Sequence, residues 1–185
     1  VASSLNNLAG LYKSQGRYSD AEPLYIEALA MYKRLLGDEH FLVATSLNNL
    51  AVLYDSQGRY SDAEPLYIEA LAMTKRLLGD EHPSVASSLN NLAGLYKSQG
   101  RYSDAEPLYI EALAMWKRLL GDEHPSVASG LNNLALLYRS QGRYSDAEPL
   151  YIEALAIAEK WLGANHPKTI NYRENLEYLR RNRQP

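Results

Sequence analysis

Four segments of this chain are copies of one another. Val1 to Leu42, Val43 to Ser84, Val85 to Ser126 and Val127 to Lys168 align without a gap, a period of 42 residues, and residues 169–185 follow as a tail. A period of that length marks stacked supersecondary units, each too small to bury its apolar faces alone, so neighbours must supply the core. Units one and three differ only at Tyr32 against Trp116 and at Phe41-Leu42 against Pro125-Ser126. Such identity reaches residues that a fold alone would not constrain, which points to recent duplication or a consensus-like design. The irregular Phe41-Leu42 and the divergent fourth unit favour a natural origin. Val1 stands inside a repeating unit and no Met precedes it, as in an excised piece of a longer protein.

Within a unit the apolar spacing predicts two helices. Leu5, Leu8, Ala9 and Tyr12 follow the i, i+3, i+4, i+7 pattern of one helix face, and Gln15-Gly16 ends the run. A second helix opens at Ser19-Asp20-Ala21-Glu22, a sequence that reads as a capping box, and runs to about Leu36 before Gly37. Pro23 falls in its first turn, where backbone N–H groups lack intrahelical partners. Leu24, Tyr25, Ala28, Leu29 and Leu35 mark its buried stripe. The linker Gly79-Asp80-Glu81-His82-Pro83 joins units, with Pro83, Pro125 and Pro167 suited to a first helical position and Phe41 in place of the first one. The tail carries Arg173, Glu177 and Arg180 where the units have Leu, Ala and Tyr, so residues 169–185 read as a capping helix with a wetted outer face. Unit one has no such cap, and its open face is expected to allow end-to-end self-association.

Leu5, Leu8, Ala9, Tyr12, Ala21, Tyr25 and Ala28, repeated in every unit, resemble the signature of the tetratricopeptide repeat. That repeat is usually 34 residues long. The longer period here, with SLNNLA, GRYSDAEPLY, EALAM and the LGDEHP-type linkers, is similar to the repeat of kinesin light chains and related bacterial proteins. The resemblance implies an all-α, right-handed α-solenoid of four helix-turn-helix units plus the cap, forming one domain over 1–185. It also implies a concave groove lined by the first helix of each unit that receives extended or helical peptide segments, acidic and Trp-containing in kinesin light chains. The chain shows neither coiled-coil heptads nor a motor, so the module carries over and the transport role does not.

Variation among the units locates a candidate site. Unit positions 3, 10 and 13 vary, and with the invariant Asn at position 6 they make one helical stripe away from the Leu5, Leu8 and Tyr12 face. On the functional reading, Asn6, Asn48, Asn90 and Asn132 donate to and accept from a peptide backbone. Lys13, Lys97 and Arg139 add charge-assisted bonds to carboxylates. Gly10 and Gly94 leave room for a bulky side chain, and Asp55 interrupts the basic row. On the structural reading the same Asn and Gly serve helix packing and the charges are merely solvated. The neighbouring Asn7, Asn49, Asn91 and Asn133 are expected to bond across helices. Positions 4 and 32 also vary, as Ser4, Ser46, Ser88 and Gly130 and as Tyr32, Thr74, Trp116 and Ala158, with Trp116 expected to be partly exposed.

Other chemistries fit poorly. The chain has no Cys, which removes thiolate metal sites, disulfides and Cys nucleophiles. His40, His82, His124 and His166 recur once per unit in linkers, and units stacked ~10 Å apart separate them too far to share an ion bound at ~2 Å. A capping or linker role fits them better, and no metal or cofactor is expected. A net charge of −3 gives no general attraction to nucleic acid or anionic membranes. The 15 Tyr fall largely at packing positions rather than on a stacking platform, and the basic end of Arg173, Arg180, Arg181 and Arg183 suits a soluble cap. No phosphate loop, nucleophile elbow or paired catalytic acids occur, and no apolar run is long enough to span a bilayer. The expectation is a non-catalytic, cytoplasmic interaction module that binds a protein or peptide segment, with a structural or self-associating scaffold as the alternative and neither nucleic acid nor membrane as partner.

Overall fold

A computed structural model describes residues 1–182. Among these residues are nine helices and no strand: α1 (Ala2–Ser14), α2 (Tyr18–Leu36), α3 (Phe41–Ser56), α4 (Tyr60–Leu78), α5 (Pro83–Ser98), α6 (Tyr102–Leu120), α7 (Pro125–Ser140), α8 (Tyr144–Leu162) and α9 (Pro167–Asn182). The helix-turn-helix repeat read from the sequence is therefore the fold, with α9 in the cap position. Arg183 and the end of the expected capping segment lie outside the described residues.

Local chemistry sets the boundaries. Each linker histidine caps the helix that follows: Nδ1 of His40, His82 and His124 accepts from the backbone N–H two residues on at 3.1 Å, and His166 does so at 3.2 Å. This places α3 at Phe41 as securely as Pro places α5, α7 and α9. Gly37 ends α2 at φ +84°, a left-handed conformation that side chains with a Cβ resist. The capping box expected at Ser19–Glu22 does not form. The cap falls two residues earlier, on Arg17, with no side-chain cap bond, and the helix begins at Tyr18. The reason is competition for the carboxylates, because Asp20 pairs with Arg17 at 2.8 Å and Glu22 is drawn to Arg59 of the next unit at 2.9 Å.

The chain divides into two compact parts, Val1–Leu95 and Tyr96 onward, and the division falls inside α5. In the first, α1 packs on α2, α2 on α3 and α3 on α4. Tyr32 from α2 joins Val43, Ala44 and Leu47 from α3 and Ala70 and Met73 from α4 in one core cluster. In the second, α6 packs on α7, α7 on α8 and α8 on α9, and Ala135, Ala147, Tyr151, Leu176 and Leu179 form a core. Ala9, Ala21 and Ala28 are fully buried, since only a methyl fits where the helices approach most closely.

An arginine joins the second helix of one unit to the turn of the next. Arg59 lies over the Tyr54 ring at 4.1 Å, pairs with Asp62 at 2.8 Å and holds both carboxylate oxygens of Glu22 at 2.9 and 3.0 Å. Asp62 and then Glu22 raise its pKa above the ordinary guanidinium value. Arg143 repeats the arrangement with Tyr138, Asp146 and Glu106. At the cap, Arg180 reaches Glu148 at 2.8 Å, and Arg173 reaches Glu159 at 2.8 Å. The charged residues that replace Leu and Tyr in α9 thus satisfy carboxylates of the preceding helix.

Candidate functional site

The stripe of variable positions lies along the first helix of each unit, and its asparagines pair from unit to unit. Asn6 Oδ1 accepts from Asn49 Nδ2 at 3.0 Å and Asn48 Oδ1 accepts from Asn91 Nδ2 at 2.9 Å. In the second part, Asn132 Oδ1 accepts from Asn175 Nδ2 at 3.2 Å. Each pair uses one donor and one acceptor, which leaves the amide N–H of Asn48 and the carbonyl of Asn91 with capacity for a further partner. Asn90 takes the corresponding place on α5.

The position-13 residues stand in the last turns of their helices. Lys13 is half-buried, and burial lowers its pKa. Asp55 occupies the place on α3 and Lys97 on α5, both half-buried. Arg139 lies 5.0 Å over the Tyr178 ring and donates to Asn175 Oδ1 at 3.4 Å. At Gly10 an added Cβ would meet only Tyr25 Oη, at 3.5 Å, which is ordinary contact. Gly94 is half-buried at the same position of α5.

A cavity of about 160 Å³ opens in the first compact part, lined by Phe41, Ala44, Thr45, Asn48 and Thr74 on one side and Ser84, Ser87, Ser88 and Asn91 on the other. It includes Asn48 and the position-3 residues Thr45 and Ser87 from the expected stripe, and neither Gly10 nor Gly94. Its origin lies in a size match between position 32 of one unit and position 4 of the next. Trp116 stands opposite Gly130, and a Cβ added to that glycine would lie 3.1 Å from the indole. Ala158 falls opposite Tyr172 of the cap, both buried, and by register Tyr32 falls opposite Ser46. A large residue meets a small one in each case. At Thr74 and Ser88 both are small, and the unfilled volume is the cavity. Trp116 itself is 5% exposed, so the partial exposure expected of it is corrected: the glycine opposite admits the whole ring.

Four hydroxyls of the lining donate to carbonyls of their own helices. Thr45 Oγ1 donates to Phe41 O at 3.0 Å, Thr74 Oγ1 to Ala70 O at 2.7 Å, and Ser87 and Ser88 to Pro83 O and Ser84 O at 3.1 Å. With their protons spent on the helix backbone, these oxygens present lone pairs to the cavity.

A family model of the tetratricopeptide repeat matches residues 1–76, 56–118, 84–160 and 126–181. The chain belongs to the tetratricopeptide-repeat family. Such repeats generally mediate protein–protein interaction and are typically non-catalytic scaffolds. No curated protein sequence matches the chain. Among solved structures it is similar to BtubC (BKLC) of P. vanneervenii, at 32% identity and TM-score 0.79 over 95% of this chain and 70% of that one. It is also similar to the kinesin light chain nearly identical TPR-like repeats of Podospora anserina, at 28% identity and TM-score 0.75 over 95% of this chain and 83% of that one. Aspartyl phosphate phosphatase F of Bacillus subtilis, at 17% identity and TM-score 0.77 over 96% of this chain and 44% of that one, shares the fold. Among the described residues no helix of this tetratricopeptide chain is long and apolar enough to cross a membrane.

Sequence reasoning placed Thr45 and Ser87 in the stripe at position 3 but did not join them to Thr74 and Ser88. The signal was present in the variation at positions 32 and 4, which were read separately. Offset by one unit, the two columns pair large with small in every case but one.

Proposed function

We propose that this tetratricopeptide chain binds an extended peptide segment and anchors one aromatic side chain of it in the Thr74–Ser88 cavity. The observation that carries the reading is what fills the equivalent places elsewhere in the chain. Trp116, Tyr32 and Tyr172 plug them from within, and Tyr32 and Tyr172 hydroxyls bond the position-3 hydroxyls of Ser3 at 2.8 Å and Ser129 at 3.2 Å. Thr45 is the position-3 residue at the cavity. A ring supplied by a ligand therefore meets the same surroundings, and a volume near that of cavities known to hold benzene, ~150 Å³, suits one ring. Because the wall offers acceptors, a phenol or indole with its own donor fits better than a phenyl group.

Asn48 and Asn91 beside the cavity supply a donor and an acceptor for the peptide backbone. Lys13 favours a carboxylate nearby, because a half-buried ammonium recovers the solvation it loses when an anion joins it. Asn132, Lys97 and Arg139 are the corresponding candidates in the second part. Acidic peptides carrying Tyr or Trp should bind the whole chain saturably and more weakly as salt rises. Replacing the ring by Ala should weaken binding about tenfold or more, since losing a buried ring costs well over ~1.4 kcal/mol. Thr74→Tyr should close the cavity and abolish binding. Equal affinity for ring and Ala peptides, or indifference to Thr74→Tyr, would sink the reading. In that case the scaffold alternative stands.

A further inference from the structure

Position 10 of a unit decides whether a buried phenol is covered. Tyr25 and Tyr151 hold the same place on α2 and α8 and are 4% and 0% exposed. Neither hydroxyl has a hydrogen-bond partner among the described residues. In unit four Leu136 packs on the core cluster that contains Tyr151, and the phenol oxygen is fully buried. In unit one the residue is Gly10, and the Tyr25 oxygen is not sealed from solvent. A Cβ added to that glycine would meet only this oxygen, at 3.5 Å. Such a distance is ordinary contact, so alanine would fit and would favour the helix. Packing therefore does not call for glycine at this place; what the glycine does is leave the Tyr25 hydroxyl uncovered. The contact lies between the two helices of one unit and involves no neighbouring unit.

The groups around the opening are donors. Asn6, Gly10 and Lys13 stand at i, i+4 and i+7 along one face of α1. Asn6 uses its carbonyl on Asn49, which leaves its amide N–H groups to give. Lys13 is half-buried and meets no carboxylate among the described residues. Burial pushes the Tyr25 pKa up, so the phenol keeps its proton and remains a donor at neutral pH. One cation beside neutral donors matches a single negative charge. A carboxylate carries that charge, whereas a phosphate ester brings about −1.5 to −2 and would stay partly uncompensated. Glycine and base also occur together, Gly10 with Lys13 and Gly94 with Lys97, while Val52 goes with Asp55. Beside Leu136 the base is Arg139, which already engages Tyr178 and Asn175.

We propose that Tyr25 is a ligand-binding residue, its hydroxyl donating past Gly10 to a carboxylate of the bound peptide that Lys13 neutralises and Asn6 orients. This rests on the reading of the chain as a peptide binder and adds a second contact to it, apart from the Thr74–Ser88 cavity. Position 10 then works as a shutter, open at Gly10 and closed by Leu136. The carboxylate reaches the site from an Asp or Glu side chain or from a chain end, and the test separates the two.

The test titrates the whole chain with three synthetic peptides. The first has one Tyr between two runs of Glu and an amidated end, the second has Gln at every Glu, and the third is the Gln peptide with a free C-terminal carboxylate. An acidic peptide should bind more tightly than the amidated Gln peptide, and whichever does so names the source of the carboxylate. Tyr25→Phe should weaken that acidic peptide about five- to tenfold, the worth of one charge-assisted hydrogen bond, and leave the amidated Gln peptide unchanged. Gly10→Leu, which copies unit four, should have the same effect, with no further loss when the two are combined. Lys13→Met should weaken the acidic peptide as well and flatten its salt dependence. Tyr25→Phe removes a hydroxyl that bonds nothing, so its urea midpoint should not fall, and it carries the test even where Gly10→Leu disturbs the helix. Equal binding of all three peptides would overturn the proposal. So would a Tyr25→Phe chain that binds acidic and Gln peptides in the parent's ratio, and in both cases the peptide-binding reading stands as long as Thr74→Tyr abolishes binding. No saturable binding of any peptide up to about 1 mM, the weak limit of specific recognition, would overturn both.

Discussion

Trp116 and Thr74 occupy the same position of successive units, at the end of otherwise near-identical helices, and they do opposite things. Trp116 is buried against Gly130, so closely that a Cβ on that glycine would press the indole at 3.1 Å. Thr74 is equally buried, but its hydroxyl turns back to Ala70 O and the volume beyond it is open. One repeat frame can therefore be filled or left open by a single pair of side chains, without any change in helix length, cap or linker.

The contrast is broken most severely by emptying the closed place. Trp116→Ala should cost about 3–5 kcal/mol, the range for removing a buried aromatic ring from a packed site. Thr74→Ala, which removes a hydroxyl and a methyl beside existing space, should cost under about 1 kcal/mol. Urea unfolding followed by circular dichroism reads the difference. Units that contact mainly their neighbours need not unfold all at once, so it is the midpoint of the transition reporting the affected unit that should be compared.

Closing the open place should move stability the other way and by less. Thr74→Tyr fills the cavity, and its hydroxyl can donate to Thr45 as Tyr32 bonds to Ser3. Filling such space stabilises by roughly 0.5–2 kcal/mol where the new side chain adopts a relaxed rotamer. A rise in the urea midpoint together with loss of aromatic-peptide binding would show a site kept open at the expense of stability. A fall would mean that the cavity cannot accept a ring in the orientation used by Tyr32, which bears directly on what a ligand could place there.

The repeat frame was readable because each unit states its rules four times. The period, the two helices, the glycine stops and the prolines at Pro83, Pro125 and Pro167 all follow from spacing along one chain. The capping box failed because Glu22 has a partner 37 residues away, and local sequence cannot weigh a distant guanidinium against a nearby N–H. The site was legible only as a stripe. Asn6 and Asn48 were visible as an invariant row and Asn49 and Asn91 as residues bonding across helices, as they do, but which asparagine meets which depends on the register between helices of different units. The cavity was hidden for the same reason: it is a volume between Thr74 and Ser88, and no single position shows a deficit that belongs to two.

The finest contrast separates two tyrosines of the second compact part. Tyr172 Oη meets Ser129 Oγ at 3.2 Å, whereas Tyr151 Oη is buried with no hydrogen-bond partner. Burial pushes the Tyr151 pKa up to about 12, with Arg139 pulling weakly the other way. An unfolded tyrosine ionises near ~10. Below that pH both states hold the proton and the buried neutral phenol contributes fully. Above it the unfolded chain releases its proton first, so this contribution falls as pH rises and is lost through about 12. Tyr151→Phe should remove that part of the alkaline loss. At neutral pH it should leave stability unchanged or raise it by up to about 1 kcal/mol, because it deletes a polar group that was desolvated without compensation. Tyr172→Phe should instead cost about 0.5–1 kcal/mol, the worth of one exchanged hydrogen bond. Urea midpoints of the three proteins at about pH 7 and about pH 11, bracketing the ordinary tyrosine value, decide the matter. If Tyr151→Phe destabilises as much as Tyr172→Phe, then the Tyr151 hydroxyl has found a partner, and the second core is better satisfied than its packing implies.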